Sequence, residues 1–285
     1  MNHLRFFGIE EEPFRLTPDR DFYFPSRSHS AVTEVVRYGL DSGEGFLMIY
    51  GEVGTGKTML LRKLSSYLHS HYETAYIISP QLSPRELLFA ILQDLDVVDH
   101  GANALPAPAL FQKIYDYLVS RNPLGKRLLV IIDEAQNLPE ESIEQLRLLS
   151  NFETDKRKLM QILLVGQPEL KAKIYKPSLR QLRQRITISE TLLPLSRPEM
   201  ASYINFRLNR VGRPDLTPAA GITKMIHRYT NGTPRLVNKL MSRALLMAYA
   251  GQQQYIDRKN IKDAVESLDM KPLITFWGRV RKASA

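Results

Sequence analysis

The stretch GEVGTGKT, residues 51–58, sets Gly51, Gly56, Lys57 and Thr58 at the spacing G-x-x-x-x-G-K-T. Glycines permit backbone angles that side chains forbid, so successive N–H groups turn inward and form a nest for an anion. A helix starting near Lys57 adds its positive N-terminal end. In such a loop the lysine ammonium reaches the outer phosphates of a nucleotide, and the threonine hydroxyl holds Mg²⁺. The residues assigned to the cradle are Gly51, Glu52, Val53, Gly54, Thr55, Gly56, Lys57, Thr58 and Met59, with Thr58 as a metal ligand. The competing reading is a plain glycine-rich turn between a strand and a helix.

A second feature carries chemistry. The apolar run LLVII, residues 128–132, ends in Asp133 and Glu134. Paired with a phosphate loop, Asp133 is the expected contact for Mg²⁺ or its water shell. Glu134, one residue on, points the other way along the strand direction and polarises water as a general base. Without the loop, two acids at a strand end would read equally well as caps of the next turn.

These residues need elements to hold them. FLMIY, residues 46–50, is a strand-type run, and apolar residues at Met59, Leu60, Leu61, Leu64 and Leu68 give helical spacing directly after the loop. A helix is expected from Ser28. Thr74–Pro80 reads as a second strand, and Ser83-Pro84 as an N-cap and first helical position. A helix ALFQKIYDYLVS, the central strand before Asp133, the helix SIEQLRLLSNF and the strand LMQILLVG follow. Strands alternating with helices predict an α/β domain with a parallel sheet. After ITISETLLPL the patterns are helical only. The expected division is an α/β domain over 1–195 that includes an irregular N-terminal opening segment, a helical domain over 196–269, and a tail over 270–285.

Composition bounds the rest. The chain has 285 residues, 44% of them hydrophobic and 24% charged, and no cysteine. Disulfides, cysteine-ligated zinc and a thiol nucleophile are excluded, which fits a reducing cytoplasm. The N-terminus has no signal-peptide core, and no window is apolar enough for a membrane span. His69 and His71 lack metal spacing and read as solvated. Net charge is +9. Residues 171–185, KAKIYKPSLRQLRQR, hold six basic residues and no acidic one, and residues 197–250 hold nine basic and two acidic. Such surfaces favour anions, although a solvated charged face reads as well.

GEVGTGKT, LLVIIDEAQNLP, LSNFETDKRKLMQILLVGQPEL, LRQLRQRI and NGTPRLVNKL, in this order, resemble an AAA+ ATPase. More narrowly the chain is similar to the ExeA group, the ATPases of the general secretion pathway and the related MshM ATPases of mannose-sensitive haemagglutinin (MSHA) pilus assembly. The opening FFGIEEEPFRLTPDRDFYFPSRSH also resembles that group. The likeness runs over about residues 4–268. It implies a P-loop NTPase parallel sheet followed by a small all-helical lid domain, with ATP and Mg²⁺ as ligands.

The resemblance also implies roles. Gln167, just after LLVG, falls where AAA+ proteins sense the γ-phosphate, although many relatives use a shorter Asn, Thr or Ser; a turn residue before Pro168 is the alternative. Arg185 is placed as the arginine that a neighbouring subunit contributes, with Arg183 as runner-up and a basic helix face as the plain reading for either. A finger requires an oligomer, since it is supplied head to tail. Arg235, in G-x-P-R, matches the second sensor, and a cation there opposes the helix dipole. Phe14, with Pro13 and Tyr23, is expected to border the adenine, with plain core as the alternative.

The tail DMKPLITFWGRVRKASA sets Ile274, Phe276 and Trp277 beside Arg279, Arg281 and Lys282. Aromatics beside basic residues suit peripheral contact with a membrane surface or a partner protein; a frayed terminus is the alternative. ExeA-type relatives commonly continue into a membrane span and a peptidoglycan-binding domain, so the chain resembles the short MSHA-type members or a shortened form of a longer one. Three functions stay open. One is an ATPase driving pilus or secretion-apparatus assembly at the cytoplasmic face of the inner membrane, as a nucleotide-dependent homo-oligomer acting on assembly proteins. Another is a DNA-associated ATPase of the transposition-helper (TniB-like) kind, which the basic helical region favours. The third is a nucleotide-gated adaptor that scarcely turns ATP over, which an intact Glu134 disfavours.

Overall fold

The structure is a computed structural model, and it describes residues 3–78, 81–99, 105–121, 126–153 and 158–274. Its elements run α1 (His3–Phe7), α2 (Arg27–Asp41), β1 (Phe46–Tyr50), α3 (Lys57–His71), β2 (Tyr72–Ile77), α4 (Pro84–Asp94), α5 (Ala107–Arg121), β3 (Arg127–Ile132), α6 (Glu140–Leu149), β4 (Met160–Gly166), α7 (Pro168–Ile174), α8 (Arg180–Arg183), β5 (Ile186–Thr191), α9 (Arg197–Arg210), α10 (Ala220–Thr230), α11 (Pro234–Ala250) and α12 (Arg258–Ser267). No helix among the described residues is long and apolar enough to cross a membrane.

The chain divides into two compact units. One comprises His29–Val53 and Leu60–Leu192; the other Met1–Ser28, Gly54–Met59 and Leu193–Ala285. The first is the α/β unit. Its five strands are all parallel, in the order β2-β3-β4-β1-β5. The apolar runs of β1, β3 and β4 are buried along nearly their whole length, as strands covered on both faces must be. One face packs Met48, Val130, Ile132, Ile162 and Leu164 against α4, α5 and α6. The other packs Leu47, Ile49, Ile131 and Leu163 against Val32 and Val36 of α2 and Leu60 and Leu64 of α3. Register puts Tyr50 opposite Gly166, and Ile132 opposite Leu164. The residues just past these strand ends, Gly51, Gln167 and Asp133, therefore emerge along one edge, where ligands of open α/β sheets bind.

The strand expected over Thr74–Pro80 begins at Tyr72, directly after the helix, and ends at Ile77. Tyr72 is paired to Arg127 and buried, so sheet pairing extends the strand backward past the alternating stretch.

The second unit is helical. Ser196 and Glu199 form a capping box at the start of α9, and Asp257 and Asn260 form another at α12. Its core gathers Met200, Ile204 and Leu208 of α9, Ile226 of α10, Val237, Leu240, Met241 and Leu245 of α11, and Ile261 of α12. Phe7, Ile9 and Phe14 belong to this same core. The opening segment thus packs with the helical unit, where the sequence had placed it in the α/β domain. The reason is Arg207. Its guanidinium, 5% exposed, donates from Nε to the Pro13 carbonyl and from Nη1 to Tyr203 Oη, and lies 4.7 Å from the Phe22 ring. Tyr203 donates to Asn238, whose Nδ2 donates to the Arg15 carbonyl. Of the tail, Leu273 and Ile274 donate their N–H groups to the Arg228 carbonyl; Phe276, Trp277, Arg279, Arg281 and Lys282 lie outside the described residues, as do the side chains of His69 and His71.

Candidate nucleotide site

The glycine loop leaves β1 with the Gly51 N–H bonded to the Gly166 carbonyl at 3.1 Å. Gly54 and Gly56 take φ of 81° and 105°, in the region that only glycine enters freely. Space imposes a second requirement on Gly54. A Cβ there would lie 2.5 Å from Arg235 Cβ. The Arg235 N–H donates to the Gly54 carbonyl at 3.2 Å, and Thr233 and Pro234 start α11 beside it. Thr55 is fully buried, Lys57 is 6% exposed, and Thr58 is half-buried. Lys57 opens the 15-residue α3. A glycine nest running into a long helix, with a lysine in its first turn, fits the phosphates of a nucleotide. Glu52 and Val53 are exposed, and Met59 is half-buried.

The acid pair follows β3. Asp133 is 5% exposed. Its N–H donates to the Ile77 carbonyl at 3.0 Å, which continues the ladder one residue past the strand. Tyr76 Oη donates to Asp133 Oδ2 at 2.9 Å, and the Glu134 N–H to Oδ1 at 2.9 Å. Burial beside Asp133 holds the Tyr76 hydroxyl well above the ordinary phenol range, so it remains a donor. Glu134 takes φ 54°, ψ 36°, a left-handed conformation that a non-glycine residue keeps only when its surroundings hold it there. Its Oε2 accepts from Gln136 Nε2 at 2.6 Å and from Gln167 Nε2 at 3.0 Å. Gln167 is the N-cap position of α7, with Pro168 behind it. No three His, Cys, Asp or Glu side chains gather as a metal-binding group among the described residues. Mg²⁺ often has one or two protein ligands, with phosphates and water completing its shell, and the Asp133 carboxylate is an oxygen donor of the kind that shell takes.

Two of the assigned residues are engaged within their own units. Phe14 is 1% exposed within the helical core, and Pro13 is buried too. The Phe14 ring packs against that core on all sides, and Tyr23 is half-buried. The apolar core of the helical unit claims the ring. Arg185, placed first as the finger, is tied down within its own unit. Its Nη1 donates to the Arg147 carbonyl at 3.1 Å, to Ser150 Oγ at 2.9 Å and to Asn151 Oδ1 at 2.6 Å. These acceptors end α6 and follow it, where a cation suits the helix dipole. Arg183 is exposed, its guanidinium 5.3 Å from the ring of Tyr175, which is itself 55% exposed. Arg235 is exposed at the start of α11. Gln136 was missed: it lies four residues beyond the apolar run, and only side-chain geometry reveals it.

A parallel sheet in this strand order, a glycine nest leading into a lysine-headed helix, and an acid pair after β3 give the fold of a P-loop NTPase of the AAA+ kind. Residues 40–174 match the AAA domain family. Among curated proteins, the chain is 43% identical over 251 residues to general secretion pathway protein A of Aeromonas hydrophila, covering 87% of this chain and 45% of that protein. It thus spans less than half the length of that relative. Among solved structures, the fold is shared with the ORC2 protein of Aeropyrum pernix in its ADPNP-ADP complexes, at TM-score 0.63 and 19% identity over 88% of this chain and 72% of that one. It is also shared with Cdc6p of Pyrobaculum aerophilum, at TM-score 0.69 and 16% identity over 91% and 71%. The fold is that of the AAA+ P-loop proteins, and the chain's sequence likeness is to the AAA domain family over residues 40–174 and to an ExeA-type general secretion protein.

Proposed function

We propose that this chain is an ATPase, converting ATP and water to ADP and phosphate, that drives assembly of a pilus or type II secretion-like apparatus at the cytoplasmic face of the inner membrane. The observation that carries the chemistry is the loop itself: Gly54 and Gly56 at positive φ, leading into α3 at Lys57. Lys57 and the loop N–H groups hold the phosphates. Thr58 and Asp133 would hold Mg²⁺, which would supply charge neutralisation on the phosphates. Glu134 orients the attacking water and takes its proton. Gln167 and Arg235 sense the γ-phosphate, and the Arg235 N–H bond to Gly54 supports a link between the loop and α11. A neighbouring subunit contributes Arg183, so the working state is a nucleotide-dependent homo-oligomer. The likeness to a general secretion pathway protein supports assembly proteins at the membrane as partners, with the tail beyond Ile274 as a peripheral membrane contact.

Two variants test this. Glu134→Gln should bind Mg-ATP calorimetrically with near wild-type affinity and release phosphate at least about a hundredfold more slowly. Lys57→Ala should give no binding heat. Wild-type kinetics in either variant would overturn the assignment.

A DNA-associated ATPase is the second reading. Arg210, Lys224, Arg228 and Lys239 are exposed on the helical unit. Anisotropy with labelled duplex DNA would favour it if affinity fell steeply with salt.

A further inference from the structure

Gln136 lies in the short 3₁₀ turn Ala135–Asn137 and carries none of the roles assigned above. Both ends of its amide are bonded. Nε2 donates to Glu134 Oε2 at 2.6 Å, and Oε1 accepts the Gln167 backbone N–H at 3.0 Å. Gly166 leaves room for this, since a Cβ there would lie 2.6 Å from Gln136 Oε1. The second amide on Glu134 Oε2, Gln167 Nε2, is of a different kind. It joins two side chains and is free to leave when Gln167 turns to a phosphate. The Gln136 amide instead ends on main chain next to β4, which pairing with β1 and β3 holds in place. Glu134 itself sits in a backbone conformation that needs outside support.

We propose that Gln136 is a positioning residue: a strut from the end of β4 that keeps the Glu134 carboxylate aimed while the Gln167 amide moves from that carboxylate to phosphate. This rests on the roles proposed for Glu134 and Gln167. The strut acts on the hydrolytic step and not on nucleotide binding.

The test uses the full chain with Gln136→Leu, which removes both bonds at similar volume, and Gln136→Glu, which keeps an acceptor for the Gln167 N–H but sets a like charge against Glu134. Each is made alone and combined with Glu134→Gln. Displacing a reacting group by an ångström costs up to about a hundredfold, so kcat should fall between about tenfold and a hundredfold while KM stays within about twofold. In the Glu134→Gln background, the same substitutions should lower residual turnover no further and leave the calorimetric affinity for Mg-ATP unchanged. A merely structural role would add its loss in both backgrounds. Wild-type kcat in both single variants, or a loss of ATP affinity in the double variants, overturns the strut. A wild-type chain that binds Mg-ATP without turnover refutes the ATPase reading instead, and the strut with it.

Discussion

The Gln167 side-chain amide donates to Glu134 Oε2 at 3.0 Å. A carboxylate oxygen already holding two amide hydrogens is a poorer acceptor for a proton from water, so with Glu134 as the proposed base this bond would have to be exchanged during turnover. Gln167→Ala should lose the contact that Gln167 makes with the developing charge, at about 10²–10³ in kcat, while Mg-ATP affinity is kept. Steady-state kinetics beside calorimetry separates the two; equal losses in both would mark Gln167 as a ground-state binding group.

The two arginines of LRQLRQRI should part company. Arg185→Ala removes three hydrogen bonds around the end of α6 and should cost about 1–3 kcal/mol in urea unfolding. Arg183→Ala should leave stability within about 0.5 kcal/mol. Its turnover should fall by about 10³ and recover in part when it is mixed with Glu134→Gln subunits. Full activity of Arg183→Ala would remove it as the finger.

Arg207 is the tie between the opening segment and the helical unit. Arg207→Ala leaves the Pro13 carbonyl and the Tyr203 hydroxyl short of a donor and removes the cation over Phe22. The expected loss is about 3 kcal/mol, with faster hydrogen exchange over residues 3–24. Unchanged exchange there would show that Phe7, Ile9 and Phe14 anchor the segment without the arginine.

Acid should loosen α9 through Glu199. Ser196 Oγ and N–H donate to its Oε2, and the Arg27 N–H to its Oε1. The Ser196 hydroxyl first, then these N–H groups, hold the Glu199 carboxyl below the usual carboxylate range. A depressed carboxyl stabilises the fold above its unfolded pKa, and that stability is lost as pH falls through the folded value. Below about pH 4.5, the wild type should therefore lose stability more steeply than Glu199→Gln, which is less stable at neutral pH and flatter in acid. Parallel curves from pH 7 to pH 3 would exclude Glu199 from the acid response.

Local spacing by itself determined the glycine loop, the helix that follows it, the acid pair and the N-cap at Ser83, because each is built from bonds spanning a few residues. The apolar runs likewise marked β1 as a strand, β3 as a strand buried on both faces and β4 as a further buried strand. Only tertiary structure decided which arginine is committed, where Phe14 goes, and which unit holds the opening segment. Arg185 meets its acceptors 34 to 38 positions away, and Arg207 reaches Pro13 across 194. Gln167 reaches Glu134 and Gln136 from the end of the neighbouring strand, 33 and 31 positions on, a meeting set by sheet order. Contacts between residues so distant along the chain leave no periodicity behind; they exist only once packing has brought their elements together.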